Sequence, residues 1–294
     1  MNVDYKCAVI DLGGTRARLG CFSSKSKLVT TTTYRIDQYG NPRELFEAVK
    51  DDNPDIASIP WVLGVPSPVR KNRTAETPNL GTGWQGDAIT DALEDLDISY
   101  ELENDANLAV LGEYSHGSGQ GHQNLVCLTL GTGIGGGIII NGDLYRGNSG
   151  AAGEIGHITL VPGGRPCGCG NRGCFEQYGS ASGLVKTYEQ LTGDQLPADE
   201  IADRFPGDDN AKKAFQATGT HLGRGIAIVC NILEPGRIIL AGGLSMSFEY
   251  FRDDLVEAFQ ETIFAERVRQ TDVVPSDLEE PALYGGLALC ESEA

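Results

Sequence analysis

The amino-acid sequence predicts an α/β fold, on three observations. Strand-like apolar runs alternate with stretches of helical periodicity along the 294 residues. An apolar strand runs into a glycine turn and returns as a second strand twice, over residues 8–22 and 128–140. A third apolar run, residues 237–241, also ends on glycines, Gly242 and Gly243.

In chain order, the first strand ends at Asp11, and Gly13-Gly14-Thr15 forms the turn. Arg16 to Phe22 then alternates polar and apolar, as a half-buried returning strand does. A third strand is expected near residues 30–34. A helix follows over 42–51, with Asn41 as its cap and Pro42 at its first position. Residues 61–66 read as a strand that ends in a loop stiffened by Pro66 and Pro68. Irregular chain over 77–84 precedes a helix over 87–96, a short strand over 100–105 and a helix over 106–114. Residues 115–124 are polar, and a domain boundary is expected just before them, near Leu108. The predicted division is a smaller domain over 1–107, completed by the helix 280–294, and a larger one over 108–279.

The second hairpin, LTLGTGIGGGIII, carries five glycines within seven residues. Glycine allows positive φ and close approach to a ligand, and successive bare N–H groups form an anion-binding concavity. The stretch contains G-x-G-x-x-G, which signals a dinucleotide only when a helix follows. Here Ile138, Ile139 and Ile140 follow, and such a run favours a strand. A phosphate-holding hairpin is therefore the reading, although a glycine-rich hairpin needs no ligand to exist. No G-x-x-x-x-G-K-[ST] occurs, so a P-loop is excluded. Beyond this hairpin, 148–173 is loop-rich, 180–191 and 212–233 are helical, 248–265 reads as a helix, and 282–291 is a final apolar helix. Its Gly285-Gly286 pair suits close packing.

The balance of 23 basic to 41 acidic residues, a net charge of −18, excludes nucleic acid as a partner. No apolar run approaches the ~20 residues that span a bilayer, so no membrane partner is expected. The N-terminal residues lack the apolar core of a signal peptide, and a cytoplasmic protein is expected. Cysteines there are thiols or metal ligands rather than structural disulfides.

Two groups of residues carry chemistry. Asp11, at a strand end beside a glycine turn, is placed to bind Mg²⁺ near phosphate oxygens; a turn-capping role is the plainer alternative. Asp105 also follows a strand and opens a helix. An Asp there is commonly a cap, but phosphoryl transfer to an alcohol needs a carboxylate that orients the hydroxyl. Asn104 beside it can both donate to and accept from sugar hydroxyls. Separately, His157, Cys167, Cys169 and Cys174 lie within eighteen positions. Three thiolates and an imidazole match a closed tetrahedral structural Zn²⁺ site, and the loop holds little apolar material that would otherwise fix it. Zinc would then brace Glu154 and Glu176, which flank the cluster.

DLGGT at Asp11, ENDAN at Glu103, LGTGIGGGI at Leu130, GAAGEIGH at Gly150, CGCGNRGCFEQY at Cys167 and AGGLS at Ala241 together resemble the ROK family of repressors and sugar kinases. The resemblance covers most of the chain and is nearest to the glucokinases. It implies the two-domain actin/hexokinase/Hsp70-like (ribonuclease H-like) ATPase fold with a zinc knuckle, and ATP-dependent phosphorylation of a hexose at its 6-hydroxyl. It implies Asp105 as the general base. It implies Asn79, Asn104, Glu154, His157 and Glu176 as sugar ligands, with Gly64 opening the loop that approaches the sugar. Asp11, Gly13, Gly14 and Thr15, with Gly131, Thr132, Gly133 and Gly135, are implied around the phosphates, and Gly242 and Gly243 near the adenosine. ATP, Mg²⁺ and Zn²⁺ are the implied cofactors, and a homodimer or homotetramer the implied assembly. Where family glucokinases read GxPGxV, this chain has Ser67 in place of the second glycine. With its first strand beginning near residue 8, the chain resembles the kinases rather than the DNA-binding repressors. All of this requires Asp105 and both glycine hairpins to face one crevice.

Overall fold

The computed structural model describes residues 4–74 and 80–292. The chain forms two compact units, one built from residues up to Gln120 with Leu144–Ala152 and the chain from Leu278 onward, the other from Gly121–Asp143 and Gly153–Asp277.

In the first unit, β1 (Tyr5–Leu12), β2 (Arg16–Ser23) and β3 (Leu28–Arg35) form a meander. Helix α1 (Pro42–Asp52) is capped reciprocally: Asn41 accepts from the Glu44 amide at 3.1 Å, and Glu44 accepts from the Gly40 amide at 2.8 Å. Strand β4 (Trp61–Val65) is wholly buried. A small hairpin of β5 (Val69–Arg70) and β6 (Arg73–Thr74) turns through Lys71 and Asn72, both with positive φ. Asn72 accepts from the Leu102 amide at 2.6 Å and donates to the Tyr100 carbonyl at 3.1 Å, which occupies the free edge of the neighbouring strand. Helix α2 (Ala88–Asp95), β7 (Tyr100–Asn104) and α3 (Asp105–His116) follow. The sheet order is β3-β2-β1-β4-β7, with β1, β4 and β7 parallel. Parallel strands aligned this way bring the C-terminal ends of β1, β4 and β7 side by side, where α/β sheets bind ligands.

The second unit repeats that plan. Strands β8 (Leu125–Leu130) and β9 (Ile134–Ile140) form a hairpin, and β10 (Asp143–Leu144) extends it. A loop-rich segment leads to α4 (Glu176–Gly179), α5 (Ala181–Thr192), α6 (Ala198–Arg204) and the long α7 (Asp209–Leu233). Strand β11 (Arg237–Ala241), a 3₁₀ stretch (Gly243–Tyr250), α8 (Arg252–Thr262) and β12 (Asp272–Pro275) complete it. Its sheet order, β10-β9-β8-β11-β12, again sets an antiparallel hairpin beside parallel strands. The chain then returns to the first unit as α9 (Pro281–Ser292).

The helix expected over 248–265 is corrected: its first part is 3₁₀, and the α-helix begins only at Arg252. The division between units falls after α3 rather than at residue 107, because α3 packs as a whole against α9. A Cβ on Gly112 would sit 1.9 Å from the Pro281 carbonyl oxygen, and one on Gly285 1.8 Å from that of Leu108. Only bare backbone allows these two helices to approach so closely. The segment 144–152 likewise belongs to the first unit, where Gly150 leaves no room for a Cβ beside the Val69 carbonyl.

Candidate functional site

In the first unit the pairing of β1, β4 and β7 sets Asp11 beside Gly64, and Gly64 beside Glu103. A Cβ on Gly64 would lie 3.4 Å from an Asp11 carboxylate oxygen and 3.6 Å from the Asp105 Cα. Gly64 is therefore packed between the Leu108 side chain, whose Cδ1 would lie 3.0 Å from that Cβ, the Asp11 carboxylate and the Asp105 backbone. Asp11 feels this: burial first, and then the negative Asp105, push its pKa up to about 7, with the Arg18 guanidinium pulling the other way. Carboxylate oxygens of Asp11 and Asp105 are donors of the kind that fits a hard cation such as Mg²⁺.

Asp105 opens α3, and one of its oxygens accepts from the Ala106 amide at 2.8 Å and from the Asn104 side chain at 3.1 Å. Asn104 is the helix cap, accepting from the Asn107 amide at 3.1 Å. Its amide nitrogen also reaches the Ser67 carbonyl at 3.5 Å. Ser67 is buried and is not in the left-handed region, so the backbone here does not require the glycine expected at that position.

Beneath this corner lies a residue that sequence reasoning passed over. Glu103 is buried, accepts from the Asn104 amide and the Asn107 side chain, each at 2.9 Å, and pairs with Arg146 at 2.6 Å. It fixes the helix start that presents Asp105. The alternation of β7 puts Glu103 on the face opposite Asn104, a legible signal, but its partner 43 positions away is not.

At the first turn, the Gly13 amide donates to the Arg16 carbonyl at 2.9 Å, and the Ile36 amide to the Thr15 carbonyl at 3.0 Å. Gly14 and Thr15 are exposed. A cavity of 650 Å³ lined by Gly14, Thr15, Arg16, Arg35, Tyr39 and Trp84 opens beside this turn. Asn79 lies outside the described residues.

In the second unit, the Gly131–Gly133 turn is closed by a 3.1 Å bond from the Gly131 amide to the Gly133 carbonyl, leaving Thr132 exposed. The freedom of glycine to adopt positive φ goes unused here: neither Gly131, Gly133, Gly135, Gly136 nor Gly137 lies in the left-handed region. Two of them, Gly136 and Gly133, are crowded instead. A Cβ on Gly136 would meet the Gly153 carbonyl oxygen at 2.4 Å, and one on Gly133 a Glu176 oxygen at 2.5 Å. Half-buried Gly135 stands between them on β9. Gly242 does have positive φ, and its Cα lies against the Leu130 backbone. Because β11 and β8 are parallel with Ala241 opposite Thr129, Gly242 and Gly243 open next to the Gly131 turn.

The cysteine-rich loop folds onto the same hairpin. The ligand atoms of His157, Cys167, Cys169 and Cys174 all lie within 4.8 Å of one another. His157 Nδ1 is 3.7 Å from the Cys167 sulfur, whereas Nε2 is 3.9 Å from a Glu154 oxygen. One imidazole thus faces the thiols with one nitrogen and a carboxylate with the other. Glu176 accepts from the Cys167 thiol at 3.0 Å and lies 3.8 Å from His157 Nδ1. Burial and that carboxylate push the Cys167 thiol up to about 12; one nitrogen and three sulfurs so gathered fit Zn²⁺. Arg165 secures the loop to α5 through Thr187 at 3.0 Å and Gln190 at 2.7 Å, and stacks on Tyr178. Among the described residues no helix is long and apolar enough to cross a membrane.

Comparison with known proteins converges with this geometry. Residues 7–293 match the ROK family. The chain is 30% identical to a glucokinase of Streptomyces coelicolor over 95% of both chains. It is 32% identical to an N-acetyl-D-glucosamine kinase of Mannheimia succiniciproducens, over 84% of this chain and 87% of that one. Among solved structures, a ROK family glucokinase from Streptomyces griseus in complex with glucose and AMPPNP superposes with a TM-score of 0.83 at 28% identity, covering 99% of this chain and 100% of that one.

Proposed function

The chain belongs to the ROK family, and as a sugar kinase of that family we propose that it transfers the terminal phosphoryl group of ATP to the 6-hydroxyl of a hexose, D-glucose above all. The observation that carries this reading is the carboxylate corner of Asp11, Gly64, Asn104 and Asp105, at the aligned ends of three parallel strands. Asp105 accepts the hydroxyl proton as the oxygen attacks the γ-phosphorus and the ADP oxygen departs. Gly64, Asn79, Asn104, Glu154, His157 and Glu176 are the proposed sugar ligands. Gly13, Gly14 and Thr15, with Gly131, Thr132, Gly133 and Gly135, hold phosphate oxygens through backbone N–H groups, and Gly242 and Gly243 border the adenosine. Mg²⁺ held by Asp11 would neutralise phosphate charge. Zn²⁺ held by His157, Cys167, Cys169 and Cys174 would stiffen the loop that carries Glu154 and Glu176.

The N-acetyl-D-glucosamine kinase relative favours a second reading, an amino-sugar kinase on the same machinery. Steady-state kinetics of the purified protein against glucose, mannose, fructose and N-acetylated amino sugars, with ATP and polyphosphate as donors, separates them. Glucose with the highest kcat/KM supports the first reading. No turnover with any pair would leave a sugar-sensing protein and remove the kinase proposal.

A further inference from the structure

Far along β1 from the strand end that carries Asp11, two cysteines meet that the kinase account does not use. Cys7 is fully buried near the start of β1, and Cys290 is part-exposed in the last turn of α9. Both belong to one hydrophobic cluster with Val9, Phe22, Leu283 and Leu287. Their register is pinned by the next residues along: the Lys6 ammonium pairs with Glu291 at 2.9 Å, and the Ser26 hydroxyl also bonds to Glu291. Gly286 of α9 packs on Val9, whose Cγ1 would lie 2.3 Å from a Cβ there; Cys7 stands two residues before Val9 on the same face of β1 and Cys290 one helical turn beyond Gly286, so the two cysteines face each other.

We propose that Cys290 is an oxidation site for a peroxide, resolved by Cys7 into a disulfide that fastens α9 to β1. The Cys290 sulfur attacks one peroxide oxygen, the O–O bond breaks, and hydroxide leaves, taking up a proton as water. Cys290 becomes a sulfenic acid. The Cys7 sulfur then attacks the Cys290 sulfur, and the departing hydroxide takes the Cys7 proton. The sum is two thiols and one hydrogen peroxide giving one disulfide and two waters, two electrons passing from sulfur to oxygen.

The surroundings suit those roles. Cys290 is pulled down to about 7, first by the hydrogen bond from Cys7 and also by the Lys6 ammonium; burial, Glu291 and Glu101 oppose this. Cys7 is pushed up by the same bond and by burial, so it keeps its proton until Cys290 has been oxidised. At Cys21 and Cys230 burial dominates instead, pushing Cys21 up and Cys230 up to about 12.

The test treats the zinc-loaded, full-length protein with one to ten equivalents of hydrogen peroxide at pH 7, followed by non-reducing peptide mapping. The expected product is a cross-linked pair of peptides containing Cys7 and Cys290. Cys7→Ser is expected to stop at a dimedone-trapped sulfenic acid on Cys290, and Cys290→Ser to leave Cys7 reduced. In untreated protein, iodoacetamide is expected to label Cys290 at least tenfold faster than Cys230. Labelling of the two at equal rates, or no Cys7–Cys290 cross-link at ten equivalents, overturns the proposal. Circular dichroism of each variant shows whether it is folded, and the iodoacetamide comparison on the unaltered chain decides the matter if a variant is not.

Discussion

Replacing Asp11 by Asn probes the electrostatics of the strand-end corner directly. Burial and the neighbouring Asp105 raise the Asp11 pKa from an ordinary 3.8 to about 7. In the unfolded chain this carboxyl ionises near pH 4, whereas in the folded protein it keeps its proton until about pH 7. Between those values folding takes up a proton, so stability falls as pH rises and levels off above pH 7. A shift of about three units at ~1.4 kcal/mol each sets a ceiling of about 4 kcal/mol, reduced because Asp11 is only partly shielded from solvent. Asn carries no proton to lose. The Asp11→Asn protein is therefore expected to be more stable than the wild type in the absence of Mg²⁺, with an advantage that grows by about 1–3 kcal/mol from pH 5 to pH 8. Urea denaturation at the two pH values, followed by tryptophan fluorescence, reports it, since Trp61 and Trp84 both lie in the core of the first unit. Addition of Mg²⁺ is expected to stabilise the wild type at pH 8 and to leave Asp11→Asn unchanged. Parallel pH dependences in the two proteins would refute the electrostatic reasoning.

Three further outcomes follow from the same geometry. Gly136→Ala puts a methyl 2.4 Å from a backbone oxygen and 2.8 Å from Ile155, and is expected to cost about 1–3 kcal/mol, read as a lower thermal midpoint together with a higher sugar KM. Glu103→Gln breaks the pairing with Arg146 while keeping the shape; a loss of about 1–3 kcal/mol and a fall in kcat are expected, and an unchanged kcat would show that the helix start holds Asp105 without it. Removing metal with a chelator is expected to speed hydrogen exchange over residues 153–178 and to raise the sugar KM; unaltered sugar affinity in metal-free protein would end the bracing role of the cluster.

Much of the frame was legible because it rests on local chemistry. Both hairpins, the strand ends at Asp11 and Asn104, the Asn41 and Pro42 start of α1, and the close packing of Gly285 follow from patterns a few residues long. The side chains of His157, Cys167, Cys169 and Cys174 gather as their spacing implied. What stayed hidden depends on partners far along the chain. The β5–β6 hairpin has strands of two residues, and its Asn72 is fixed by backbone about thirty positions away. Helix α6 has a single buried residue, Ile201, too little to stand out as an amphipathic period. Glycine leaves the second hairpin free to adopt positive φ, yet none of its glycines does; at Gly136 and Gly133 the Gly153 carbonyl and the Glu176 side chain occupy the space a Cβ would take. Sequence shows that a position is bare, and only the packing shows why.

The most direct measurement is the turnover of Asp105→Asn, a change that keeps the shape of the helix start while removing the proposed base. With ATP and glucose, kcat is expected to fall by about 10²–10⁴ while glucose binding by calorimetry stays within a few-fold of the wild type. A kcat close to that of the wild-type protein would contradict the account.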